Sequence, residues 1–313
     1  MILGHERQVR YFDRVMVADR MSHAYLLHGP ERVGKRAVAR ALACALLCPQ
    51  YKKDSQSIAD AGDDCRGCRE IDAGTHLDVV RISIEQALAP PKDKEMRSEI
   101  SIHDIRELKS RFAYAPVQDA WRIAIIDGID TMGRDAEVAF LKLLEEPGKQ
   151  TLFLLIARSR DAVPPTIASR ATPILFSLVS DNALAPFVRA HLPRENLQEI
   201  LALARGRAGL AVVWARETRL LVEEKKLAAG FEKSFAGGAA ELLALSERVS
   251  NDEILRNRAR DMWICSLRRH LRGTDGDERR GAVVRIAHAL DVAGAMDETH
   301  VNARLAMDAL LIG

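Results

Sequence analysis

Gly29-Pro30-Glu31-Arg32-Val33-Gly34-Lys35-Arg36 decides the fold of this chain. The octapeptide fits G-x-x-x-x-G-K-[S/T] everywhere except its last position, where arginine replaces the hydroxyl residue. It follows the apolar run Ala24-Tyr25-Leu26-Leu27 and opens a segment with helical spacing over residues 38–47. A glycine-rich loop between a strand and a helix is a phosphate loop. Gly29 and Gly34 let backbone N–H groups close around a phosphate, the helix N-terminus adds partial positive charge, and Lys35 reaches the outer phosphates. The missing Ser or Thr would hold Mg²⁺. Arg36 puts a fixed cation there instead, either to contact phosphate or to fill an empty site.

Outward from the loop, residues 78–82, 121–127, 151–157 and 174–177 are short apolar runs, as buried parallel strands are. Helical patterns at 104–112 and 135–146 lie between them, the second stopped by Pro147-Gly148. This alternation predicts an α/β domain with a parallel sheet over residues 1–178. Residues 49–75 read as a polar, cysteine-bearing loop, and 87–100 as a second loop. Beyond about residue 178 the strand-like runs stop. Short helices at 181–192, 195–204 and 209–217 predict a small helical domain over 179–217. Longer amphipathic stretches, including 251–271 and 279–293, predict an all-α bundle over 218–313.

A chain of 313 residues is too long for one simple core, in keeping with that division. Lys and Arg number 46 against 44 Asp and Glu, so overall charge supplies no strong pull toward nucleic acid. Aromatic and basic residues are not interleaved, which argues against direct DNA binding as the main activity. The N-terminal residues carry no apolar signal core and no run reaches transmembrane length, which predicts a cytoplasmic protein without a membrane partner. Five cysteines in such a chain suggest reduced thiols available to metal.

Asp127 ends an apolar strand, where a carboxylate can sit near Mg²⁺. Gly128 follows, where a hydrolytic enzyme of this type usually carries the water-activating glutamate. Loss of both the hydroxyl and that acid disfavours hydrolysis. Cys65-Arg66-Gly67-Cys68 supplies two thiolates for zinc, and Cys48 is a third candidate, which makes 48–68 a candidate zinc-binding loop. The fourth ligand is open among Asp63, Asp64, His76 and Cys44, although Cys44 also suits burial as a small apolar residue. A redox C-x-x-C is the weaker rival because the pair sits in a loop. Cys265 reads as a core residue. Arg170, after Pro164-Pro165-Thr166, is either a surface arginine or one that reaches across an interface to a neighbour's phosphates.

These motifs, in their order, resemble the AAA+ clamp-loader family of bacterial DNA polymerase III. The likeness runs through Ile2-Leu3-Gly4, His23-Ala24-Tyr25-Leu26, the phosphate loop, the C-x-x-C and Gly74-Thr75-His76-Leu77-Asp78. Ala139-Phe140-Leu141-Lys142-Leu143-Leu144-Glu145-Glu146-Pro147 resembles the family's ALLKTLEEP, and Pro165-Thr166-Ile167-Ala168-Ser169-Arg170 its P-x-T-I-x-S-R-C. About the first 175 residues are covered. The resemblance implies an AAA+ module, a helical lid and a helical collar, with five subunits in a ring that loads the sliding clamp on primed DNA. Motor subunits and a delta subunit are the implied partners, with clamp and DNA engaged indirectly. It further implies a subunit type that is not itself an ATPase, with Arg170 serving as an arginine finger in trans, and a structural zinc ion on Cys48, Cys65 and Cys68. ATP as a cofactor is disfavoured by the altered loop.

Four positions depart from the family pattern. Ala171 replaces a cysteine, Arg158 stands where a polar sensor is commonly threonine, and Leu210 takes the place of a sensing arginine. Gly62 occupies the position of a fourth cysteine. An active motor subunit, or another AAA+ ATPase, is the alternative: Lys35 and Asp127 favour it, while Arg36, Gly128 and Leu210 oppose it. A free-standing DNA-binding or zinc-scaffold protein is a third class.

Overall fold

The computed structural model describes residues 2–51, 56–62, 65–83, 99–113, 121–236, 238–250 and 303–312, with isolated positions between 256 and 292. The chain divides into two compact units, Met1–Glu217 and Thr218–Gly313.

In the first unit the apolar runs become five parallel strands: β1 (Ala24–His28), β2 (Val79–Ser83), β3 (Arg122–Asp127), β4 (Thr151–Ala157) and β5 (Thr172–Leu175). Their spatial order is β2-β3-β4-β1-β5. Strand β4 is central and buried at every residue, which is why its sequence is continuously apolar rather than alternating. The pleat divides the strand residues between two cores. Tyr25, Leu27, Ile123, Ile125, Leu152 and Leu154 pack on one face. Ala24, Leu26, Ala124, Ile126, Phe153 and Leu155 pack on the other.

Helices α1 (Glu6–Val17), α2 (Lys35–Leu47) and α3 (Arg66–Ala73) supply the first core. The second is covered by α4 (Ile102–Phe112), α5 (Arg134–Glu145) and the single turn α6 (Pro165–Ala168). Helix α2 begins at the loop lysine and is rich in alanine and leucine, both strong helix formers. Pro147 disfavours helical geometry at the residue before it, and α5 stops at Glu145. Three short helices complete the unit: α7 (Asp181–His191), α8 (Leu197–Ala204) and α9 (Ala208–Arg216).

One expectation needs correction. Residues 49–75 are not all loop, because α3 lies within them. Cys65 caps its start by accepting the Cys68 N–H, and Gly74 ends it with φ 73°, a left-handed conformation that glycine adopts without cost. Its apolar side consists of Cys68 and Ile71, three residues apart, too little to show a helical period in sequence. Strand β5 also starts two residues earlier than the apolar pattern suggests.

The second unit contains α10 (Thr218–Ala236), α11 (Ala239–Ser250) and α12 (Ala303–Ile312). Helices α11 and α12 pack together, with Leu242, Leu245, Met307 and Leu310 buried. Trp263 donates its indole N–H to the Leu310 carbonyl at 2.8 Å. Most of stretches 251–271 and 279–293, including Cys265, lies outside the described residues. Among the described residues no helix is long and apolar enough to cross a membrane.

Candidate functional site

Strand order brings the sequence-predicted nucleotide residues together. Because β1 and β3 flank β4 in parallel, the loop after β1 and Asp127 at the end of β3 meet at the C-terminal edge of the sheet. That edge is where open α/β sheets bind ligands. Gly29 has φ 139°, and a Cβ there would lie 2.0 Å from the Phe176 carbonyl oxygen, so the loop's first position admits only glycine. Gly34, with φ 124°, precedes α2.

Lys35, Arg36 and Arg158 at this edge each have a protein partner. Lys35 is 6% exposed, and its Nζ donates to the loop carbonyls of Gly29 and, at 2.7 Å, Pro30. Burial lowers its pKa to about 8, against the opposing pull of Asp127, Glu31 and Asp130. Arg36 Nε donates to Asp127 Oδ2 at 2.7 Å, and a second guanidinium nitrogen closes on the same carboxylate. The arginine that replaces the metal-binding hydroxyl therefore neutralises the carboxylate expected beside the metal. Arg158, just beyond β4, donates through Nε to Asp130 Oδ2 at 2.8 Å. The Asp130 side chain is 1% exposed, so this pair takes up the nearby acid as well. Neither pairing was legible residue by residue. The available signal was two arginines arriving at polar positions while two aspartates remained.

Two further contacts hold the loop. His5 Nε2 bonds the Val33 carbonyl at 2.8 Å, and desolvation lowers the His5 pKa. The Gly209 N–H at the start of α9 donates to the Arg32 carbonyl at 2.7 Å. A Cβ on Gly209 would sit 2.6 Å from that oxygen. Leu210 beside it is buried and brings no charge to the loop.

Arg170 lies elsewhere. It precedes β5, which runs parallel to β1, so it stands at the N-terminal edge of the sheet while the loop stands at the C-terminal edge. The five residues of β1 separate the two edges by about 13 Å at roughly 3.3 Å per residue. Arg170 Nη2 donates to Glu145 Oε1 at 2.8 Å and Nη1 to the Thr166 carbonyl at 2.9 Å. Both side chains of the ion pair remain substantially exposed, at 38% and 52%.

The third cluster joins α2 to α3. The sulphurs of Cys48, Cys65 and Cys68 all lie within 4.8 Å of one another, and Cys48 and Cys65 are 3.6 Å apart. Tetrahedral zinc with Zn–S bonds of about 2.3 Å needs sulphurs roughly 3.8 Å apart, so the donor set fits zinc. Cys65 accepts the Cys68 N–H, the largest influence lowering its pKa, whereas burial raises that of Cys68. The C-x-x-C thus opens a helix, a setting that redox pairs also use. With the Cys48 thiol 3.6 Å from Cys65, three thiols rather than an isolated pair could hold a metal ion. Asp63 and Asp64 lie outside the described residues.

Comparison with known proteins places these features in context. The family model described as DNA polymerase III, delta subunit, matches residues 4–180, more than half of the chain. The delta' subunit of DNA polymerase III from Pseudomonas aeruginosa is 32% identical over 188 residues, covering 59% of this chain and 53% of that protein. The gamma subunit from Buchnera aphidicola is 28% identical over 196 residues, covering 63% and 50%. The chain spans about half the length of these curated relatives. Among solved structures, a gamma subunit-related protein of Thermotoga maritima aligns over 97% of each chain with 18% identity and a TM-score of 0.46.

Proposed function

The chain belongs to the DNA polymerase III, delta subunit family, and from that membership we propose that it is a delta-prime-type clamp-loader subunit that does not hydrolyse ATP itself. The observation that carries this reading is the Arg36–Asp127 pair. A guanidinium bound to that carboxylate supplies the positive charge that Mg²⁺ would otherwise bring, and it cannot coordinate or activate water. Lys35 is turned onto its own loop carbonyls, which further disfavours phosphate binding.

The subunit acts instead through Arg170. An arginine at the edge opposite its own loop can reach only another molecule's nucleotide, where it stabilises charge on the transferring phosphoryl group. Glu145 and the Thr166 carbonyl hold the guanidinium in place until that site arrives. In this reading residues 1–178 are the AAA+ module, 179–217 the lid and 218–313 the collar of a cytoplasmic hetero-pentameric ring. Motor subunits and a delta subunit are its partners, and it meets the sliding clamp and primed DNA through them. Zinc on Cys48, Cys65 and Cys68 ties α2 to α3 and has a structural role.

The test is the ATPase of the purified chain with Mg²⁺. No turnover above background is expected. Metal-dependent turnover abolished by Lys35→Ala would identify a motor subunit and overturn the proposal.

A further inference from the structure

Structural zinc takes four ligands, and the thiol cluster supplies three. Gly62 offers no side chain, and a Cβ there would lie 2.7 Å from Arg40 Nη1. His76 turns Nδ1 toward the Asp78 N–H at 3.1 Å, and it is not grouped with the thiols among the described residues. Helix α2 itself carries another thiol. Cys44 precedes Cys48 by four residues, so both project from one face of the helix, as does Arg40 a further turn back. Cys44 is fully buried, in the same core cluster as Cys48 and Cys68, and Cys65 packs against that cluster.

We propose that Cys44 is the fourth ligand of a tetrathiolate zinc site completed by Cys48, Cys65 and Cys68. The inference rests on the zinc reading given above. Cys44 stands outside the mutual 4.8 Å spacing of the other three, so closure requires its sulphur to swing about χ1, a torsion with three staggered wells. Each thiol gives up its proton as it binds the metal, so the closed centre carries two negative charges. Arg40 lies one turn before Cys44 on the same face of α2, where a cation offsets part of that charge. The helix face thus provides two ligands and a countercation, all from residues one turn apart.

The decisive measurement is zinc K-edge X-ray absorption on the zinc-loaded full chain. Four sulphurs at about 2.3 Å are expected; three sulphurs with one light atom at about 2.0 Å would overturn the assignment. The chain has five cysteines, so Cys265→Ser must leave the four-sulphur shell unchanged, and a change there would also overturn it. Cys44→Ala is expected to give a three-sulphur shell and to weaken zinc binding at least about tenfold. An unaltered shell in that variant counts against Cys44. Should the variant fail to fold, the parent chain and Cys265→Ser decide the matter alone. A purified chain that takes up no zinc defeats the zinc reading itself, an outcome distinct from a three-sulphur site, which defeats only the fourth ligand.

Discussion

The two edges of the sheet present the same chemistry, arginine against carboxylate, with opposite availability. At the C-terminal edge Arg158 holds an Asp130 side chain that is 1% exposed, and Arg36 holds an Asp127 side chain that is 23% exposed. At the N-terminal edge Arg170 holds a Glu145 side chain that is 52% exposed. Freeing an arginine from a buried carboxylate strands a charge in low dielectric, at a cost of about 3–5 kcal/mol. Freeing one from an exposed partner costs about 1 kcal/mol or less. Burial of the carboxylate, rather than residue type, separates Arg158, locked into its own fold, from Arg170, which can be lent to a neighbour; the partly exposed Asp127 places Arg36 between them.

The largest expected effect tests the available side of this contrast. In a loader reconstituted with motor subunits, Arg170→Ala should lower hydrolysis at the adjoining site by about 10³-fold while assembly, followed by gel filtration, is unchanged. An intact complex with undiminished ATPase would erase the distinction between the edges. The locked side predicts a stability effect. Arg158→Met should destabilise the fold by about 3–5 kcal/mol in urea unfolding, because Asp130 is left buried and unpaired. Adding Asp130→Asn should recover most of that loss.

Lys35 extends the contrast to pH. Its folded pKa of about 8 lies below the ordinary 10.5, so between those values the unfolded chain binds the extra proton. Stability should therefore rise from pH 8 to 10.5, by about 3 kcal/mol for this group. Lys35→Met should remove that rise, read as the difference between the two proteins' unfolding midpoints at about pH 7.5 and about pH 10. Gly209→Ala should cost about 1–3 kcal/mol through overpacking against the Arg32 carbonyl. The smallest effect is expected from Arg36→Thr, at most about 1 kcal/mol and shrinking with added salt, since that pair is partly solvated.

The sheet was legible in sequence because buried parallel strands are written as uninterrupted apolar runs, as 151–157 shows. The phosphate loop was legible because its glycines and lysine have fixed spacing. Helix α3 was not, since two apolar residues carry no period and its start depends on a cysteine acting as cap. The partnerships of Arg36 and Arg158 were hidden for another reason. They join residues 91 and 28 positions apart, and only the strand order makes them neighbours. Sequence could raise the possibility that Arg36 fills an empty site, but not identify which carboxylate would receive it. The contact of Gly209 with Arg32 depends likewise on how α9 returns to the loop.

Gly62 carries a consequence for which residues can join the thiol cluster. A cysteine placed there would need its backbone to leave φ 106° and Arg40 to surrender the space its guanidinium fills. Arg40 is itself held by both carboxylate oxygens of Asp72. A side chain at this position thus meets both a filled space and an unsuitable backbone. A further thiol is more readily accommodated on a neighbouring helix than at Gly62, so the packing of one arginine limits which positions can contribute a ligand.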